Sequence, residues 1–178
     1  MVTTAHIPII GIAAYSGTGK TTLLAKLLPL LKAKGLRVGM VKHAHHQFEI
    51  DKPGKDSYVL REAGAEQMLV ASRQRWVLMA ETGDFDDPYL DQVLPHLDQK
   101  NLDLIIVEGF KHEKFPKIEL HRPSLGKPLL HTEDNSVIAV ASDVPEEIDT
   151  DLPRLDMNQP AELAAFIWKN ILNNEAVF

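Results

Sequence analysis

The chain contains no cysteine. Disulfides and thiolate chemistry are therefore excluded, and a reducing, cytoplasmic setting is expected. A basic surplus is also lacking: 19 Lys and Arg stand against 25 Asp and Glu, for a net charge of −6. A general nucleic-acid binder needs a basic face, so that class is not expected, although a local basic pocket is compatible with the total. No apolar run reaches the roughly 18 residues that a membrane span requires. The start MVTTAHIPII has neither the basic leader nor the cleavage site of a secretory signal, so no membrane partner is expected either. Repeats, low-complexity tracts and long linkers are missing as well. What remains is ordinary globular composition over 178 residues, 44% hydrophobic and 25% charged. That is enough for one domain, 1–178, with a full core.

Strand-like runs alternate with helical periodicities. Residues 7–14 are a continuous apolar run of strand length, as expected for a strand buried on both faces. Leu24, Leu27, Leu28 and Leu31 then recur at i, i+3, i+4 and i+7, which predicts a helix. Pro29 inside it should introduce a kink, and Gly35 suits its left-handed stop. LRVGMVKH (36–43) is the second strand. A loop follows, then a short helix from about Asp56 to Gly64. EQMLVAS (66–72) and RWVLMAE (75–81) read as strands joined by a tight Arg-Gln turn. DDPYLDQVLPHLDQK is expected to be helical, with Asp87 as N-cap and Pro88 at the first position. LDLIIVEGF (102–110) is a buried strand. PKIELHR (116–122) alternates, and reads as a half-exposed strand at a sheet edge. VIAVASD (137–143) is another buried strand. The last helix begins near Pro160 and buries Leu163, Phe166, Ile167 and Ile171. This order predicts an α/β fold: a mostly parallel twisted sheet flanked by helices, with an additional antiparallel hairpin. Ligands bind such sheets at the carboxyl ends of the strands.

The first strand ends in AYSGTGKTT (14–22). A phosphate-binding P-loop reads G-x-x-x-x-G-K-S/T, yet its first position here is Ala14. Gly17 and Gly19 retain the two properties the loop needs, positive φ and close backbone approach to phosphate oxygens. Lys20 can reach the β- and γ-phosphates, and the Thr21 hydroxyl suits Mg2+. Backbone N–H groups from Gly17 through Thr22 open a helix whose N-terminus carries partial positive charge. Ser16, Gly17, Thr18, Gly19, Lys20, Thr21 and Thr22 are therefore the candidate nucleotide-binding residues, and the expected fold type is the P-loop NTPase. Alanine at position 14 lies furthest from those phosphates. It is tolerable if its φ is negative, and costs about 1 kcal/mol otherwise. A Gly-rich strand-to-helix turn that binds nothing is the alternative.

Further candidates lie at other strand ends. LDLIIVEG has the form of a strand carrying a Walker B acid, here Glu108, which can hold Mg2+ through a water or position a water near the γ-phosphate. A solvated strand-end glutamate is the alternative. Asp51 and Asp56, in EIDKPGKDSY, are candidate metal ligands or members of a solvated loop. KHAHH (42–46) offers Lys42, His43, His45 and His46 as a surface for a second anion or a partner; a transition-metal site and plain structural hydrogen bonding stay open. Asp143, just past VIAVAS, is placed to read a guanine base or to cap a strand.

YSGTGKTTLL, VKHAHHQFEIDKPGKDSYVLREAGA, LDLIIVEGFKH, PKIEL and VIAVASD together resemble the molybdopterin-guanine dinucleotide biosynthesis protein B (MobB) family, from about residue 8 to residue 171. The P-loop alone is shared by many families. The lysine-histidine block followed by DKPGKDS, and the VEGFKH stretch, are far more specific; 86–99 and 123–135 match least. The resemblance implies a GTP-binding, weakly hydrolysing, Mg2+-dependent adapter, homodimeric, with a P-loop α/β fold. It would assist a guanylyltransferase partner that couples GMP to molybdopterin, giving the molybdenum cofactor of bacterial oxidoreductases. Lys20 and Glu108 would serve hydrolysis, with Thr21, Glu108 and Asp51 around the metal. Whether molybdopterin binds this chain or its partner is left open. Glu108-Gly109 also resembles the acid of dethiobiotin-synthetase-like proteins. An ATP-dependent ligase or small-molecule kinase is therefore the rival, although the Arg73 and Arg75 region reads as a turn and not as an Arg-rich lid.

Overall fold

The computed structural model describes residues 2–44, 49–83 and 87–173. Two compact units are present, residues 1–43 with 89–178, and residues 44–88. The larger contains a six-stranded, all-parallel sheet in the order β2-β5-β1-β6-β7-β8. Its strands are β1 (Ile9–Ala13), β2 (Val38–Lys42), β5 (Leu104–Glu108), β6 (Lys117–His121), β7 (Val137–Ser142) and β8 (Arg154–Asp156). The helices are α1 (Lys20–Ala33), α3 (Leu90–Val93) and α4 (Pro160–Ile167), the last continuing as a π-type turn over Trp168–Leu172.

Side chains alternate across each strand. Ile10, Ile12, Leu104, Ile106, Ile118 and Leu120 face α1 and α4, and pack on Leu24, Leu27, Leu31, Leu163 and Ile167. Ile105 and Val107 face the other way, onto Leu90, Leu94, Phe110 and Phe115. Both sheet faces are thus covered, which is why β5 reads as an unbroken apolar run. Helix α1 continues through Pro29 and stops at Gly35, whose φ is 86°. The Leu36 N–H returns to the Leu31 carbonyl at 3.3 Å, closing the turn.

Two expectations require correction. The helix foreseen from Asp87 begins only at Leu90, with Tyr89 in the N-cap position and the Gln92 side chain accepting the Tyr89 N–H at 2.8 Å. It spans one turn and passes into 3-10 turns at Leu94–His96 and Gln99–Asn101. Pro95 has no N–H to return to Asp91 and crowds its carbonyl, a cost that α1 absorbs at Pro29 within a long packed helix but at which this short segment leaves the α-helix for a 3-10 turn. The strand PKIELHR is neither half-exposed nor an edge. β6 lies between β1 and β7, and all five of its residues are buried. Its alternation is real, but the polar face is roofed by loops: Lys117 meets Asp134, and Glu119 accepts backbone N–H groups. The sheet edges are β2 and β8.

The smaller unit holds α2 (Asp56–Glu62) and the antiparallel pair β3 (Gln67–Ala71) and β4 (Trp76–Ala80). The hairpin turn falls at Arg73-Gln74, closed by the Ser72 N–H to the Arg75 carbonyl at 2.8 Å. Leu69 faces Leu78, and Ala71 faces Trp76, so one face of the hairpin is apolar and exposed.

Candidate nucleotide site

The chain leaves β1 toward α1 and β2 on one side and later returns to β6 on the other. Loops at the carboxyl end of β1 therefore border the crevice where such a sheet takes ligands. The phosphate loop occupies this place. Gly17 and Gly19 have φ of 82° and 102°, in the region that favours glycine. Ala14 is buried in the core, and the only described non-glycine with positive φ is Phe110. The missing first glycine thus costs no strain: at this position the loop asks for a small apolar residue with ordinary φ, and alanine is one.

Thr18 is buried and braces the loop, its hydroxyl donating to the Tyr15 carbonyl at 2.8 Å. Ser16, Gly17, Thr21 and Thr22 are exposed. Leu23 donates to the Gly19 carbonyl, while the N–H groups of Lys20, Thr21 and Thr22 meet no acceptor among the described residues, as the start of a helix dictates. The Lys20 ammonium rests on the Ala14 and Tyr15 carbonyls, 3.2 Å from each. Burial lowers its pKa; Glu108 opposes this, and the charges of Lys111 and Lys42 lower it further. These features fit a polyphosphate, which would meet the open N–H groups and offset the crowded cations.

Glu108 ends β5 beside β1, in register with Ile12 and Lys42. Its carboxylate is largely buried and 3.6 Å from the Lys42 ammonium. The next two residues both turn left-handed, Gly109 at φ 98° and Phe110 at 52°. A Cβ on Gly109 would lie 2.5 Å from the His43 Cβ, so only glycine fits there. The His43 N–H donates to the Glu108 carbonyl at 2.8 Å, and its ring lies 5.0 Å from that of Phe110. His43 thus helps to set the backbone after Glu108. His45 and His46 lie outside the described residues. No group of three His, Asp or Glu that could hold a metal occurs among the described residues. The exposed Thr21 hydroxyl and the Glu108 carboxylate are hard oxygens of the kind Mg2+ takes beside nucleotide phosphates.

Asp143 follows β7, where its carboxylate pairs with Arg122 at 2.5 Å. Arg122 also donates from Nε to the Thr18 carbonyl at 2.8 Å, tying the phosphate loop to the end of β7. Arg122 carries no local sequence signal, because its partners lie 104 and 21 residues away. Asp51 and Asp56 belong to the smaller unit. Asp51 lies 4.0 Å from Arg61, which also pairs with Glu49 and Glu81. Asp56 opens α2, where negative charge suits the helix start.

A family model described as molybdopterin guanine dinucleotide synthesis protein B (MobB) matches residues 9–143. The molybdopterin-guanine dinucleotide biosynthesis adapter protein of Escherichia coli K12 is 54% identical over 162 residues, covering 90% of this chain and 91% of that one. Its Haemophilus influenzae counterpart is 47% identical, with 91% and 88% covered. A crystal structure of molybdopterin-guanine biosynthesis protein B superposes with a TM-score of 0.70 at 26% identity, covering 89% of this chain and 95% of that one. With the phosphate loop, the Glu108 strand end and the VEGFKH segment inside the matched region, the chain belongs to the MobB family.

Proposed function

We propose that the protein binds GTP with Mg2+ on its phosphate loop and acts as an adapter for a guanylyltransferase that couples GMP to molybdopterin. The observation that carries this reading is the loop itself: two left-handed glycines, an open helix N-terminus and a Lys20 ammonium held only by carbonyls. The names of the Escherichia coli and Haemophilus influenzae relatives, adapter proteins in this biosynthesis, support the biological role.

In this reading Lys20 leaves the Ala14 and Tyr15 carbonyls for the β- and γ-phosphates. The N–H groups at the start of α1 donate to the same oxygens. Thr21 and Glu108 would hold Mg2+, which when bound would supply further neutralisation of phosphate charge. Glu108 orients water at the γ-phosphate, and hydrolysis is weak. Asp143 reads guanine, with Arg122 fixing its direction. Lys42 and His43, with His45 and His46 beyond them in the chain, serve the partner or its pterin.

The active unit is a homodimer. Since β6 is interior, the surface that supports pairing is the β3–β4 hairpin. An isolated two-stranded ribbon is marginal, and Leu69, Trp76 and Leu78 are 59%, 62% and 39% exposed on one face of it. The setting is cytoplasmic, in keeping with the lack of cysteine; no described helix is long and apolar enough to cross a membrane.

The test is guanine-dinucleotide formation from GTP and molybdopterin by the guanylyltransferase, with and without the protein. Stimulation that Lys20→Ala abolishes is expected. Equal yields with wild type, variant and no addition would overturn the adapter reading.

A further inference from the structure

β6 differs from its neighbours. Its polar side chains Lys117, Glu119 and His121 are all buried, on the face where β5 carries Ile105 and Val107. Buried charge is costly unless paired and hydrogen-bonded, and the phosphate loop has no need of either Lys117 or Glu119. Each of them grips a different loop. The Lys117 ammonium donates to the Lys111 carbonyl (3.1 Å), the Glu113 carbonyl (2.5 Å), Asp134 (2.7 Å) and the Ser136 hydroxyl (3.1 Å). This fixes the loop after β5. Glu119 accepts the N–H groups of Leu130 (2.7 Å) and His131 (2.9 Å), which fixes the loop after β6.

Both loops bring an ammonium group to the same aromatic ring. Lys111 lies 5.8 Å and Lys127 5.9 Å from the centre of the Tyr15 ring. Tyr15 is the second residue of the phosphate loop. Neither lysine has a carboxylate partner among the described residues, although the chain as a whole is acidic. Lys20 is close enough to Lys111 to feel its charge. Like charges gathered this way repel, and two buried anchors maintain the arrangement. The cost is recovered when an anion of multiple charge arrives.

We propose that Lys111 and Lys127, gathered on Tyr15 by the anchors Lys117 and Glu119, form a second phosphate-binding subsite beside the phosphate loop. The proposal rests on the nucleotide reading of that loop. The phosphate comes either from the terminal group of a bound nucleoside triphosphate or from a second phosphorylated molecule.

The double variant Lys111→Gln/Lys127→Gln tests this by calorimetry at low salt. GTP and GDP are titrated first, then inorganic phosphate into protein saturated with a non-hydrolysable GTP analogue. If the terminal phosphate is the ligand, GTP affinity falls at least about fivefold while GDP affinity holds, as expected for lost charge-assisted contacts. If a second molecule is the ligand, both nucleotides bind as before and inorganic phosphate binding to the loaded protein is lost. Three titrations unchanged within about twofold (under 0.5 kcal/mol) would overturn the subsite. Lys20→Ala is run alongside. A GTP affinity that survives it would mean that the phosphate-loop reading has failed; loss with Lys20→Ala but not with the double variant means that only the subsite has failed.

Discussion

Replacing Lys117 with Met removes a buried cation while keeping its stem. The side chain is 2% exposed, and its methylenes lie in the space that a Cβ on Gly11 would enter, 2.8 Å from the Lys117 Cγ. Methionine preserves that packing, so what is lost is the charge and its three N–H groups, which four acceptors share. Breaking a buried ion pair by deleting one partner costs roughly 3–5 kcal/mol. Here the low end applies, because Asp134 is 18% exposed and retains Lys114 and Ser136. A loss of about 3 kcal/mol is expected in urea unfolding at pH 7, with the slope unchanged. The pH dependence has a definite sign. Burial raises the Asp134 pKa, but Lys117, Ser136 and Lys114 outweigh it and hold the carboxyl well below its ordinary value. A depressed carboxylate stabilises the fold above the unfolded pKa, near 4, and that contribution fades as pH falls toward the folded value. The penalty of Lys117→Met should therefore be full at neutral pH and shrink below about pH 4. A loss under about 1 kcal/mol, or one that does not change down to pH 3, would refute the account of Lys117 as a buried, paired anchor.

Three other outcomes are expected. Glu108→Gln should lower GTP hydrolysis more than GTP affinity; small, equal effects on both would make Glu108 a strand-end residue without a chemical role. Trp76→Ser/Leu78→Ser should shift sedimentation at micromolar concentration from dimer to monomer, and an unchanged dimer would remove the hairpin as its surface. Asp91→Asn should flatten the loss of stability between about pH 4 and pH 2. Burial opposes its charge, but the backbone and hydroxyl groups of Thr4 and Thr3 hold the carboxyl at about 2. A variant as acid-labile as wild type would contradict that.

What was legible in the sequence was what neighbouring residues decide. β1, the phosphate loop and α1 follow one another without a gap, so period, glycines and lysine were read together. The hairpin declared itself through two β-rich runs and a two-residue turn. β6 shows where this stops. Alternation identifies a strand with a polar face, but cannot tell solvent from a roof of loops, and the roof comes from residues 109–116 and 123–136. α3 shows a local conflict: apolar spacing favours a long helix and Pro95 weighs against it, and spacing alone could not tell this proline from Pro29, which α1 accommodates. Arg122, Lys111 and Lys127 carry no local signal of their place beside the phosphate loop, because Thr18 and Tyr15 lie about 100 residues of chain away from them. Asp143 was found at a strand end, but its engagement with Arg122 was not.

The most direct test of the central claim is a calorimetric titration of GTP, GDP and ATP into purified protein, with and without Mg2+, repeated on Lys20→Ala. The account predicts GTP binding that Mg2+ strengthens, a clear preference over ATP, and a loss of at least about 2 kcal/mol in the variant, the scale of hydrogen bonds to charged groups. GTP binding that is absent, or that is equal in wild type and Lys20→Ala, would contradict it.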